Sequence, residues 1–399
     1  MKIIHTSDWH LGQQFYTYDR TSEHEAFARW LVSLVEAERP DAFVLSGDVF
    51  DVGMPSVVAQ KLYANILVSL HEACPTMTIV VTAGNHDSPS RVEIYRDVWQ
   101  AFNVRIVGNL QRCEDGSVDW RRHIVEVPNK GYVVAIPHIY PQNYPAVDGG
   151  DRVSAFFGEL NLQVAAINSQ SLPVVLMAHT AVRGCDLTGH RRMQQDMIGN
   201  VEYIDIEKFG TGFSYVALGH IHCPQTLNGQ TVARYSGSPI AVSFDEDYPH
   251  GVSVVTLESG KEPIVEPKVF DSPRPMMTLP REPQPFDDAV AELASLPADS
   301  PAYVRLNVLS AIGLPPDYSE RIAMAVTGKK CRFCTVNITL PKQEKQSDYN
   351  TNLTPDQLRQ LSPTDVAARF MEQQCVEHET VGQFLKMISE IEQEVQHED

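Results

Sequence analysis

The sequence predicts an α/β fold, two sheets packed as a sandwich with helices on the outside, and two observations carry that reading. Through the first half, short apolar runs alternate with stretches of helical periodicity, the pattern of an α/β sheet. Later runs at 231–236, 251–257 and 264–270 have no long helical interval between them and read as antiparallel strands.

Taken in order, Lys2-Ile3-Ile4-His5-Thr6 is the first expected strand. Ser22-Glu23-His24-Glu25 has capping-box spacing before Ala26, Phe27, Trp30, Leu31 and Leu34, which recur on one helical face. Pro55 is expected to open a second helix whose apolar residues Val58, Leu62, Ile66 and Leu70 read as core. Further strands are expected to end at or just before Asp48, Asn85, His179 and His220. The proline break Asp271-Ser272-Pro273-Arg274-Pro275 divides a domain at 1–270 from a small α+β capping unit at 271–341. That unit reads as strand 276–279, helix 286–296, strand 302–308, helix 318–326 and strand 332–340. A polar linker at 342–352 lacks apolar periodicity. The segment 353–399 holds C-terminal helices, the last with Val381, Phe384, Leu385, Ile388, Ile391 and Val395 on one face, a candidate partner-docking element.

The polar clusters fall at telling places. Asp8-x-His10, Gly47-Asp48-x-x-Asp51, Gly84-Asn85-His86-Asp87, Ala178-His179 and Gly219-His220-x-His222 each follow an apolar run. Sites in open α/β sheets form where strand carboxyl ends converge, so these clusters are expected to meet in space. Carboxylates, an amide and imidazoles together make a donor set for two divalent ions, and mixed N and O ligands suit Mn²⁺, Fe, Zn²⁺ or Co²⁺. Asp8 and His10, like His220 and His222, lie two apart, which in extended backbone puts both side chains on one side. Gly47, Gly84 and Gly219 each precede a candidate ligand, where they let the chain turn without a Cβ clash. Any one cluster is ordinary; their joint occurrence in this order is not.

In order and spacing, the clusters resemble the calcineurin-like metallophosphoesterase superfamily. The resemblance implies that Asp8, His10, Asp48 and His222 hold one metal and that Asp48, Asn85, His179 and His220 hold the other, with Asp48 bridging. It leaves His86 beside the substrate as acid or charge stabiliser, with Asp51 as the partner that orients it. Arg234-Tyr235-Ser236-Gly237-Ser238-Pro239-Ile240, Ser243-Phe244-Asp245-Glu246, the small cap and the C-terminal helices narrow the resemblance to the SbcD nuclease-subunit family. This implies a Mn²⁺-dependent DNA exonuclease and endonuclease active in repair and recombination. It also implies a homodimer within a heterotetramer or larger assembly, with an SbcC-type ATPase as partner. Small-molecule phosphodiesterases and protein phosphatases share the five clusters, and a scaffold that has lost catalysis is the remaining alternative.

The 399 residues carry a formal net charge of −19 with 43% hydrophobic residues. That supports a real core but not a free-standing nucleic-acid binder, which would present a basic footprint, so another subunit is expected to share the work of binding DNA. Arg91 and Arg96, just beyond the Asn85-His86 turn, and Arg191 and Arg192, after His179, are the candidate DNA contacts. Seven scattered cysteines fit a reducing compartment. Cys331-Arg332-Phe333-Cys334 has zinc-like spacing without a second pair and reads more simply as strand alternation. No apolar run approaches the ~18 residues of a membrane span, so a cytoplasmic protein without a membrane partner is expected.

Overall fold

In chain order the strands are β1 (Lys2–Thr6), β2 (Gln14–Phe15), β3 (Tyr18–Asp19), β4 (Ala42–Ser46), β5 (Thr78–Thr82), β6 (Val104–Val107), β7 (Ile124–Val127), β8 (Gly131–Ala135) and β9 (Val174–His179). They continue with β10 (Tyr215–Gly219), β11 (Gln225–Leu227), β12 (Ala233–Tyr235), β13 (Gly251–Thr256), β14 (Ile264–Val269), β15 (Met276–Gln284), β16 (Tyr303–Leu309) and β17 (Arg332–Thr339). This is a computed structural model, and it describes residues 1–147, 149–189 and 203–341, with 364, 381–382 and 384–388. The chain divides into two units, Met1–Leu340 and Pro341–Asp399. In the second, 381–382 and 384–388 are helical, which includes Val381, Phe384, Leu385 and Ile388; Ile391, Val395 and the linker at 342–352 lie outside the described residues.

Alternation along single strands explains the layering. One sheet has the order β14-β13-β1-β4-β5-β6 and the other β11-β12-β10-β9-β8-β7. On β4, Ala42 and Val44 face the other sheet, where they meet Val133, Val175 and Ala217. Phe43 and Leu45 point the opposite way, into a second core with Phe27 and Leu31 of α1 (Thr21–Glu38) and Ile66 and Leu67 of α2 (Val57–Ala73). The helix Arg152–Ile167 covers the outer face of the second sheet with Phe156, Phe157 and Leu160 against Leu176 and Leu218. Both faces of each sheet are therefore buried, which is why the central strands read as unbroken apolar runs.

Several boundaries depart from expectation for local reasons. The helix α1 starts ahead of Ser22, with Arg20 at its N-cap position and no side-chain cap bond, so the capping-box reading fails. Asp19 instead accepts hydrogen bonds from the Thr21 amide and hydroxyl. In α2 the cap is Ser56, whose hydroxyl accepts from the Ala59 amide, and Pro55 stands outside the helix. Its core face is Tyr63, Ile66, Leu67 and Leu70, while Val57 and Val58 are exposed together with Met54, contrary to the expectation that its apolar residues are core. Strand β12 is antiparallel only to β11; it runs parallel to β10. The helix Arg152–Ile167 was not anticipated, although Asp151 caps it through the Val153 and Ser154 amides.

The residues after Phe270 form a three-stranded parallel sheet, β15-β16-β17, covered by helices Phe286–Ser295 and Tyr318–Val326. Val304, Leu306 and Val308 of β16 face those helices. The opposite face carries Tyr303 and Arg305 onto the first domain: the Tyr303 hydroxyl donates to Glu23 at 2.8 Å, and Arg305 pairs with Asp245 at 2.8 Å. Cys331 lies just before β17 and Cys334 within it, where the register with β16 shifts, so the pair does not follow a regular strand alternation. Among the described residues, no helix is long and apolar enough to cross a membrane.

His5 and His24 are among the imidazoles buried away from the polar clusters' ligand positions. His5 bonds to the Tyr215 hydroxyl at 2.9 Å and the Leu218 carbonyl at 3.2 Å, and burial, with the nearby Arg234 charge, lowers its pKa to about 3. Burial and Arg20 lower His24 to about 4. An unfolded histidine titrates near 6.5. Their contribution to stability is thus complete above pH ~6.5 and is lost as pH falls from there toward their folded values. For His24 the loss is about 2 kcal/mol between pH 6.5 and pH 5. Urea unfolding in chelator at stepped pH should show it, and His24→Gln should reduce the slope over this window by roughly one proton.

Candidate metal centre

Strands β1, β4 and β5 are mutually parallel in one sheet, as are β9 and β10 in the other, and the polar clusters lie at their carboxyl ends. Pairing continues past the strands: the Asp8 amide donates to the Gly47 carbonyl at 3.0 Å, and the His10 amide to the Asp48 carbonyl at 3.1 Å. Asp8, His10, Asp48 and His220 sit at φ of +54°, +47°, +49° and +99°. Left-handed backbone at a non-glycine residue costs about 1–3 kcal/mol and persists only where the surroundings impose it. One such restraint is visible, since the His220 amide donates to both Asp8 carboxylate oxygens, at 3.0 and 3.2 Å.

Close approach explains two of the flanking glycines better than turning does. A Cβ on Gly84 would stand 2.1 Å from Asp48 Oδ1, and one on Gly219 would stand 1.9 Å from the Ser46 carbonyl oxygen. Of the three, Gly47 has the positive φ, +83°, that turning requires.

The donor atoms converge. His10 Nε2 and His222 Nε2 are 3.2 Å apart, and Asn85 Oδ1 lies 2.9 Å from both His179 Nε2 and His220 Nδ1. Asp48 Oδ2 stands between the two sets, 3.8 Å from His10 Nε2 and 3.4 Å from His179 Nε2. Ligand atoms of Asp8, His10 and His222, of Asp8, Asp48 and His179, and of His10, Asp48 and His86 fall within 4.8 Å of one another. Ring nitrogens turned toward each other and toward carboxylates inside the protein fit cations at their meeting point. These residues therefore suit a divalent metal centre.

Outer contacts fix the rings. His179 Nδ1 donates to the Ser46 carbonyl at 2.8 Å, which leaves Nε2 facing the centre. His222 Nδ1 bonds to Glu246 Oε1 at 3.0 Å, and Glu246 Oε2 accepts from the Val242 amide. Charges within the cluster oppose burial. Burial disfavours the charged form of His10, but Asp51, Asp48 and Asp8 outweigh it and raise the pKa to about 9; His179 rises to about 9 against burial through Asp48 and Asp8. Burial and the neighbouring His10 charge lower His222 to about 3, and burial with His179 lowers His220. Asp48, despite burial, is held well below the usual carboxylate range by His179 and His10.

His86 is exposed on the groove beside this cluster, with Nδ1 2.9 Å from the Asp51 main-chain carbonyl. The expected Asp51 partnership is thus made by backbone, and the Asp51 carboxylate turns instead to His10 Nδ1 at 3.4 Å. Arg91 and Arg96 do not line the groove. Arg96 bonds to Gln111 and faces a separate recess with Arg105, Arg121 and Arg122. Arg191 and Arg192 lie outside the described residues.

Sequence reasoning gave no role to three residues that act here. Asp87 is a buried carboxylate that accepts from the Gly84, Val49 and Phe50 amides at 2.8, 3.0 and 2.9 Å, so it ties the Asn85 loop to the Asp48 loop. Burial and the Asp48 charge push its pKa up to about 6. Glu246 was read only as part of a motif, and Arg305, which lines the groove from β16, carried no local signal at all.

Comparison with known proteins agrees with this geometry. The family profile described as calcineurin-like phosphoesterase matches residues 1–224, and that described as type 5 capsule protein repressor C-terminal domain matches residues 272–374. The SbcD subunit of the SbcCD nuclease from Rhodobacter capsulatus is 34% identical over 299 residues, covering 71% of this chain and 72% of that protein. The corresponding protein from Escherichia coli K12 is 30% identical over 302 residues, 70% of each chain. That from Bacillus subtilis is 27% identical across 99% of both. With the profile spanning more than half its length and relatives of this identity and coverage, the chain belongs to the calcineurin-like phosphoesterases and, within them, to the SbcD family of SbcCD nuclease subunits.

Proposed function

We propose that this chain is the nuclease subunit of an SbcCD-type complex, a phosphodiesterase that cuts DNA ends, single strands and hairpins with two divalent cations, Mn²⁺ foremost. The observation that supports this most is the placement of Asp48, one carboxylate between two donor sets, with His86 open to the groove beside it. Asp8, His10, Asp48 and His222 would hold one ion, and Asp48, Asn85, His179 and His220 the other. Bound there, divalent cations supply Lewis-acid charge that offsets the phosphodiester's own charge and makes water a better nucleophile.

The chain's own groups do the rest. His86 Nδ1–H donates to the Asp51 carbonyl, which turns Nε2 to the groove. Protonated there, it stabilises the extra negative charge of the transition state or hands its proton to the departing sugar oxygen. Arg305, anchored on Asp245, offers guanidinium N–H groups along the strand's path. The net charge of −19 leaves long-range attraction of DNA to the SbcC-type ATPase partner. Met54, Val57 and Val58, apolar and exposed at the start of α2, suit the homodimer contact within a heterotetramer or larger assembly. The setting is cytoplasmic DNA repair and recombination.

End-labelled duplex and hairpin DNA with Mn²⁺, with and without the partner and ATP, tests the reading. Intact DNA under all conditions alongside hydrolysis of a small aryl phosphodiester would replace it with a small-molecule phosphodiesterase. Calorimetric Mn²⁺ titration should show His86→Ala binding metal as the wild type does while cleavage falls by roughly 10²- to 10⁴-fold, whereas Asp48→Ala loses both. Glu246→Gln, which weakens the hold on His222, should lower metal affinity by about 10- to 100-fold with the fold retained.

A further inference from the structure

The hairpin β2–β3 pairs Gln14 with Asp19 and Phe15 with Tyr18, so Tyr16 and Thr17 form a two-residue turn. Tyr16 sits there at φ +56°. Turns of this kind favour Gly, Asn or Asp at such positions, so the hairpin itself has no need of a tyrosine. Nor does the core, because Tyr16 is 51% exposed while the adjacent Phe15 is 6% exposed. What the tyrosine does have is position: it lines the same groove as His10, Asp48, His86 and His222.

Its support is rigid. The Phe15 ring meets it at 5.0 Å and 88°, and the Phe244 ring lies 6.1 Å away at 53°, so neither ring is stacked parallel on it. Phe15 packs in turn on Phe244 and Tyr303, each at 5.1 Å. The Arg305 guanidinium stands 5.2 Å above the Phe244 ring. An exposed aromatic on a fixed base, in a groove also lined by the Arg305 guanidinium, which pairs with Asp245, and by a phosphodiester-cleaving cluster, has the parts of a single-strand site. In such sites a base stacks on a ring while cations follow the backbone.

We infer that Tyr16 is a stacking platform for one nucleobase next to the bond being cut, and that it selects DNA in which this base has left its neighbours' stack. The inference rests on the nuclease reading above. Bases inside a duplex present edges, whereas a ring needs a bared face, so Tyr16 favours frayed ends and unpaired strands over the interior of a helix.

The test uses the full chain with its ATPase partner and Mn²⁺, on frayed-end DNA carrying one tetrahydrofuran abasic residue walked through the positions flanking the cut. The wild type should lose about 10- to 100-fold in kcat/KM at one position. Tyr16→Gly suits the turn's backbone and removes only the ring. It should show a loss of that order on fully based DNA and no further loss at that abasic position, while Tyr16→Trp keeps the wild-type pattern. Equal abasic sensitivity in wild type and Tyr16→Gly, or none in the wild type, overturns the inference while DNA cutting itself still stands. Absence of DNA cutting by the wild type overturns the nuclease reading and this inference together.

Discussion

The groove depends on one close approach, that of the loop after β5 to the loop after β4. Gly84 lies so near Asp48 that a single carbon would occupy the carboxylate's place, and Asp87 clamps the two loops through three main-chain amides. The His86 amide adds a fourth link by donating to Asp48 Oδ1 at 2.9 Å. A carboxylate fixed on both sides in this way keeps one oxygen for the backbone and turns the other to His10 and His179. The separation of the two donor sets follows from that division of labour.

Electrostatics at the cluster has the same origin. Carboxylates and imidazoles are packed together out of water, so each acts strongly on the next: the carboxylates raise the pKa of His10 and His179, while burial and neighbouring imidazoles lower that of His220 and His222. Divalent cations replace bound protons in such a cluster, so loading is coupled to proton release. Glu246 and the Ser46 carbonyl matter because they fix which nitrogen of a ring faces the centre, a choice the ring cannot make alone.

Much of this was legible in the sequence because the donors sit at strand ends, and strand ends are marked by the change from an apolar run to polar residues. Asp8, Asp48, Asn85, His179, His220 and His222 announce themselves that way. The contributions of Asp87, Glu246 and Arg305 depend on loops or domains meeting in three dimensions, and nothing local distinguishes a clamp or a lining cation from a solvated charge. Asp51 shows the finer limit. The family resemblance implies its partnership with His86, but which atom makes the contact, carbonyl or carboxylate, is decided by how the loop is folded, and the carbonyl makes it. The start of α1 was misread for a similar reason, since Asp19 captures the Thr21 amide and moves the helix boundary ahead of the apparent cap.

The place of β1 in its sheet bears on synthesis. One edge of β1 is satisfied early by β4, but the other waits for β13, more than two hundred residues later in the chain. A ribosome adding residues in order therefore leaves the strand that leads to Asp8 with an open, apolar edge through most of the domain's emergence. His222 and Glu246 are made only shortly before that edge closes. Nascent chains with such an edge are prone to pair with one another, so production of active protein should be limited by chaperone capacity at high expression, and slower translation or lower temperature should raise the folded yield.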